Sequence, residues 1–270
     1  MNLTDLQIMN KENPRGHIHP VTQIILKSVS IFKKSGFSVA SGPELEDEWH
    51  NFDALNIPAD HPARDMQDTF WLKQPKNFQF PISNFQNSKR EEGKSQLSDT
   101  DRQLLRTHTS PVQIRYIEQK LKKGIKPPYR IIVPGKVFRN EATDATHEAQ
   151  FHQIEGLYVD KNVSMAQLKG TLSDFAKEFF GDNAEIRFRP SFFPFTEPSV
   201  EVDVKFRGKW LEILGAGLVH PNVLKSVGLN PDKWSGFAFG MSVERPAMIK
   251  WGINDIRQFY SGDMRFLKQF

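Results

Sequence analysis

Apolar residues recur along this chain with two periods, one helical and one extended. Val21, Ile24, Ile25, Ile31 and Phe32 are spaced by three, four and seven and predict a helix over 19–34. Pro20 suits its first turn and Gly36 its end. Residues 37–40 follow as a short strand closed by Gly42-Pro43. Met165, Leu168, Leu172, Phe175 and Phe179 predict a second long helix over 164–180. A third covers 111–123 and stops at Gly124. The extended period is clearest where Val200, Val202, Val204 and Phe206 alternate with charged residues, so one face is buried and one is wet. Residues 210–214 pair back on that strand through a turn at 207–209.

Residues 130–133 read as a strand, Pro134-Gly135 as a turn, and 136–141 as renewed extended structure. A polar loop over 142–149 leads into a strand over 151–159. Residues 236–240 form a short aromatic strand that runs into a helix over 242–251. The sum is an α+β fold, an antiparallel sheet flanked by helices. Residues 1–16 form a polar lead-in, and 73–103, rich in Asn, Gln, Ser, Lys and Glu, read as an exposed loop insertion.

Composition narrows the classes. With 270 residues and 38% hydrophobic content the chain can bury a substantial core. The absence of cysteine excludes disulfides, Cys-based zinc sites and thiol catalysis. A net charge of +4 permits nucleic-acid contact without demanding it. No apolar run approaches the ~20 residues of a membrane span and no secretory signal opens the chain, so a cytoplasmic protein is expected. His17 and His19 lack acidic or His partners at metal-ligand spacing.

The candidate chemistry sits in separated clusters. Arg139 and Glu141 share a strand face by the two-residue period, as do Phe151, Gln153 and Glu155. An Arg in this setting can bridge phosphate oxygens, although a salt-bridged hairpin face would carry the same residues. Gly236-Phe237-Ala238-Phe239-Gly240 gives a ligand close access to backbone, with Arg245 in the following helical turn. A cation there opposes the helix dipole and suits polyphosphate. Thr107-His108-Thr109-Ser110-Pro111 reads either as ligand-orienting residues or as helix caps. Phe192-Phe193-Pro194-Phe195-Thr196-Glu197-Pro198 reads either as pocket lining for a flat apolar group or as core. No P-loop and no G-x-G-x-x-G is present.

Taken together the clusters resemble the α subunit of bacterial-type phenylalanyl-tRNA synthetases, which are class II aminoacyl-tRNA synthetases. The resemblance runs from about Gly16 to Phe270 and includes NFDALN at 51–56, DHPARDMQDTF at 60–70, RTHTSPVQ at 106–113, DATHE at 144–148 and GFAFG at 236–240.

The resemblance implies ATP-dependent activation of L-phenylalanine to an adenylate and its transfer to tRNA(Phe). The helix over 19–34 with the strand ending at Pro43 would be the interface element. Arg139 would hold the α-phosphate, Glu141 the adenine edge and Phe151 the adenine ring, with Gly240 also in the ATP site. His147 and Arg245 would hold the outer phosphates. His108, Ser110, Gln153 and Glu155 would fix the amino acid's ammonium and carboxylate, with Trp71 close by. Phe193 and Phe195 would meet the phenyl ring, and Ala238 would floor its pocket. Glu197 is the implied magnesium ligand, with Glu212 as a second contact. A β subunit and an (αβ)₂ heterotetramer are implied as partners.

Residues 17–270 are then the catalytic domain, and the family's coiled-coil arm is expected to be absent. Pro246 stands where the family has leucine, which predicts a shifted start to the helix carrying Arg245. The alternative is an adenylate-forming or non-catalytic paralogue of the same fold.

Overall fold

The computed structural model describes residues 16–72, 102–206 and 208–270. Helix α1 (Pro20–Lys34) leads through Gly36, at φ 82°, into β1 (Ser38–Val39). Next come β2 (Leu45–Asp47), α2 (Glu48–Asn51), β3 (Gln103–Leu105) and α3 (Ser110–Lys122). The central hairpin is β4 (Tyr129–Phe138) with β5 (Gln150–Asp160), followed by α4 (Met165–Phe180). Strands β6 (Ile186–Phe193), β7 (Thr196–Phe206) and β8 (Lys209–Val219) precede α5 (Pro221–Ser226). The chain closes with β9 (Ser235–Ser242), α6 (Glu244–Trp251) and α7 (Met264–Leu267). No described helix is long and apolar enough to cross a membrane.

Seven strands form one sheet in the order β1-β4-β5-β9-β8-β7-β6. Only the β1–β4 pair is parallel, so the expected antiparallel sheet is present with one parallel edge strand. The two-residue period sorts side chains between its faces. Ile132, Ile154, Phe237 and Met241 join a core with Ile24 and Phe32 of α1 and Leu172 and Phe175 of α4. Ile131, Val133 and Leu157 face the other way, against Ile114 and Ile117 of α3. Helix α4 starts on a capping box between Ser164 and Gln167, an arrangement worth about 1 kcal/mol.

Pro134-Gly135 is not a turn: β4 runs through it, with Pro134 opposite Ile154 and Gly135 opposite Gln153. The carbonyl of Ile132 accepts from Ala40 at 2.9 Å, on the side away from β5. Pro134 lies two residues on, so its nitrogen faces that same side, where β1 has already ended and no ladder bond is lost. Arg106 fills the gap instead. It donates from Nε to the Lys136 carbonyl at 2.7 Å and from Nη1 to the Gly42 and Pro43 carbonyls at 3.1 Å.

Two further boundaries move. The strand ends at Phe138, so Glu141 reaches its position from the loop rather than by strand period. The expected insertion over 73–103 ends too late, because Gln103 pairs with Asp47 in a small two-stranded sheet and Arg102 stacks on Trp71 at 3.9 Å. Residues 73–101, residues 1–15 of the lead-in over 1–16 and Arg207 of the expected turn lie outside the described residues.

Candidate active site

Sequence spacing places Phe151, Gln153, Glu155 and Leu157 on one face of β5, and all four line a cleft on the α3 side of the sheet. The cleft has two arms. The first, a cavity of about 530 Å³, contains His108, Ser110, Glu155, Phe193, Phe195 and Ala238. The second, about 640 Å³, contains Glu141, His147, Phe151 and Arg245. Arg139, Gln153, Glu212 and Gly240 line both, so they mark where the arms meet.

Glu155 is the charged centre of the first arm. Its carboxylate accepts from the Thr109 N–H at 2.9 Å, from the Ser110 hydroxyl, and from Gln113 Nε2 at 3.0 Å. Burial raises its pKa, while Ser110, Thr109 and Arg139 pull the other way. The capping alternative for Ser110 fails, since its hydroxyl crosses to β5 rather than to its own helix. Thr109 Oγ1 likewise donates to the Val133 carbonyl at 3.2 Å. Both His108 ring nitrogens are buried and have no hydrogen-bond partner among the described residues. Burial, then the Arg139 charge, lowers its pKa to about 3, so the ring is neutral near pH 7.

The apolar end of this arm is the Phe193–Phe195 turn. The two rings lie nearly parallel, 5.8 Å apart at 9°. Asn56, at φ 58°, donates from Nδ2 to the Pro194 carbonyl at 2.7 Å and so holds the tip of that turn. Ala238 lies opposite Leu157 and Gly217 in the adjoining strands. Gly240 lies opposite Glu155, where an added Cβ would stand 3.2 Å from the Glu155 Cγ.

In the second arm Arg139 donates from Nε to the Thr107 carbonyl at 3.3 Å and lies 3.9 Å from Glu141. Its guanidinium rests over the Phe151 ring at 5.1 Å. Burial lowers its pKa, offset in part by Glu141 and Glu155, and it stays a cation. Arg245 is half exposed and donates to the Glu212 carbonyl at 3.3 Å. Pro246 does not displace it: α6 starts at Glu244, and Pro246 falls in the first turn, where its missing N–H has no helical partner to lose. His147 bonds through Nδ1 to Asp144 at 3.0 Å, and this contact holds the Asp144 carboxyl well below the usual carboxylate range.

Two expected residues do not join the cleft. Trp71 sits one layer back, 6.0 Å from the Phe52 ring, with its indole N–H on the Arg64 carbonyl at 3.1 Å. Glu197 is 73% exposed in a neighbouring hollow, 3.4 Å from His220. Sequence reasoning missed Gln113, Arg106, Asn51 and Asn56. The first two stand inside the RTHTSPVQ phrase and the last two inside NFDALN. Asn51 holds the His108 segment by a paired contact with Thr107 at 3.0 and 3.3 Å. Among groups that can meet a cation, Glu212 is the carboxylate at the junction, 3.8 and 3.9 Å from Arg189 and Arg245 and 45% exposed.

The family model for the class II core domain of tRNA synthetases (F) matches residues 3–270. The phenylalanine–tRNA ligase α subunit of Vibrio cholerae is 52% identical over 267 residues, spanning 98% of this chain and 72% of that protein. That of Dehalococcoides mccartyi is 51% identical over 278 residues, spanning 98% and 73%. Among solved structures, pyrrolysyl-tRNA synthetase from Desulfitobacterium hafniense shares the fold, with a TM-score of 0.64 at 15% identity over 96% of this chain and 78% of that one.

Proposed function

The chain belongs to the phenylalanine–tRNA ligase α-subunit family within the class II tRNA synthetases, and from that premise we propose how its two-armed cleft activates phenylalanine. Its activity is ATP-dependent formation of phenylalanyl-tRNA. The observation that carries the assignment of arms is that Arg139 lines both cavities.

The first arm takes the amino acid. Glu155 supplies the charge for the ammonium, and its three protein donors hold the carboxylate oxygens in place. Neutral His108, Ser110 and Gln153 complete the polar end. Phe193 and Phe195 with Ala238 form the apolar end of the arm, suited to a phenyl ring. An apolar pocket rejects an added hydroxyl by only ~100-fold, so tyrosine is disfavoured modestly here.

The second arm takes ATP. Phe151 and Glu141 serve the adenine, while His147 and Arg245 serve the outer phosphates. The phenylalanine carboxylate attacks the α-phosphorus in line; a new P–O bond forms as the bond to pyrophosphate breaks. Arg139, fixed by Thr107 at the junction, meets the charge that grows on the α-phosphate oxygens. A ribose hydroxyl of the tRNA terminus then displaces AMP from the adenylate.

Magnesium fits the junction because Glu212 offers one half-exposed carboxylate beside the phosphate arm, and the ion favours one or two carboxylates plus phosphate oxygens. Bound there it would supply Lewis-acid stabilisation of phosphate charge. Glu197, as a lone exposed carboxylate, suits a cation completed by another chain. A β subunit in an (αβ)₂ heterotetramer, tRNA(Phe) and a cytoplasmic location belong to this same reading. So does the assignment of 17–270 as the catalytic domain.

Phenylalanine-dependent ATP–pyrophosphate exchange, run with and without a β subunit, tests it. Exchange with phenylalanine is expected, and with tyrosine only ~100-fold less efficiently. A folded chain that shows no exchange in the assembled state would overturn the assignment of the arms.

A further inference from the structure

Glu244 is fully buried, at 0% exposure, and none of the steps above uses it. It lies where the sheet ends. The last pair between β5 and β9 is Gln153 with Ser242, so Phe151 and His152 have no strand beside them on that side. Backbone bonding continues for one step, the Val243 N–H donating to the His152 carbonyl at 2.9 Å. Glu244 then takes over. Its Oε1 accepts from the His152 N–H at 2.8 Å, where a strand would have offered a carbonyl.

The same carboxylate gathers three more groups. His152 Nδ1 lies 3.1 Å from Oε1, the Tyr260 hydroxyl donates to Oε1, and Ser242 Oγ donates to Oε2 at 3.2 Å. The His152 and Tyr260 rings lie parallel, 6.3 Å apart at 4°. Burial and then the Glu244 charge raise the Tyr260 pKa, so its hydroxyl remains a donor. His152 is out of phase with Phe151 and Gln153, so its ring lies on the opposite face of β5, whereas Ser242, paired with Gln153, lines the second arm. Glu244 is also the first residue of α6, where the helix dipole favours an acid, and Arg245 is the next.

We propose that Glu244 is a positioning residue that couples the two ends of the ATP arm. It locks β5 beside Phe151, where the pairing with β9 ends, and locks α6 where Arg245 begins. The proposal rests on reading the second arm as the ATP site. The amino-acid arm is held independently, since Gln153 stays inside both ladders and Glu155 is fixed from α3. The expected signature is therefore a selective one: apparent ATP affinity changes and phenylalanine affinity does not.

The test uses the chain assembled with its β partner and the variants Tyr260→Phe, Glu244→Gln and Glu244→Leu. KM for ATP and for phenylalanine are measured separately by pyrophosphate exchange, with a melting curve for each protein. Tyr260→Phe is expected to raise the ATP KM ~5-fold and Glu244→Leu ~30-fold, with the phenylalanine KM within ~2-fold. Glu244→Gln keeps an acceptor for the His152 N–H and should recover most of the loss. If Glu244→Leu does not fold, Tyr260→Phe and Glu244→Gln decide. An unchanged ATP KM in Tyr260→Phe, or ATP and phenylalanine KM rising together as the melting temperature falls, overturns the coupling. Wild-type assembly without exchange would remove the ATP reading itself, whereas wild-type exchange with unaffected variants removes only the role of Glu244.

Discussion

Gln113 Nε2 donates to Glu155 Oε2 at 3.0 Å, tying the first turn of α3 to the middle of β5. Together with Thr109 and Ser110 it holds a buried carboxylate through three donors. A cation entering the first arm would add a counter-charge to that arrangement.

Glu155→Gln should therefore preserve the fold and remove the ammonium's counter-charge. Truncating one side of a buried charge pair costs about 2–5 kcal/mol, so the phenylalanine KM should rise by ~30-fold or more, with ATP KM little changed. Exchange kinetics at saturating ATP check this.

The pKa of Glu155 is raised by burial, and an ammonium would draw it down again. Phenylalanine binding should then expel protons, and affinity should fall as pH drops below the raised value. Calorimetry in buffers of different ionisation enthalpy measures the released protons, and Glu155→Gln should abolish that release.

His108 behaves oppositely. Its folded pKa of about 3 lies below the ordinary 6.5, so between those values the unfolded chain binds a proton that the folded chain refuses. Stability should fall as pH falls through that window, by about 2 kcal/mol from pH 6.5 to 5. Urea midpoints at the two pH values should show a shallower fall in His108→Gln than in the wild type.

Asn56→Ala should loosen the aromatic turn. It removes the bond to the Pro194 carbonyl and places alanine at φ 58°. The phenylalanine KM should rise ~5-fold with ATP KM unchanged. Asn56→Gly, which accepts the backbone but lacks the side chain, should regain stability and not affinity.

Gly156→Ala should damage the fold itself. An added Cβ would stand 2.1 Å from the Phe239 ring, in a core already filled by Phe32 and Phe37. Overpacking of this kind costs about 1–3 kcal/mol or more, readable as a lowered melting temperature.

Local signals in the sequence account for much of the architecture. The periodicity of α1 and α4, the alternation along β7 and the glycines after α1 and α3 each depend on near neighbours, so one chain carries them in full. Pro134 misled because a proline reads as a break unless the strand is known to be at an edge on that side. Trp71 misled because a resemblance in sequence does not say which layer a side chain occupies.

The sequence by itself determined the α+β class, the long helices, most of the central strands and the residue types able to bind phosphate, ammonium and an aromatic ring. Tertiary structure alone decided which of them meet. Glu155 depends on Thr109 and Gln113, Asn56 on Pro194, and Glu244 on His152 and Tyr260. These partners lie far apart in the chain. No local period encodes them, because they come together only when β5 is laid between β4 and β9 and α3 closes over its open face.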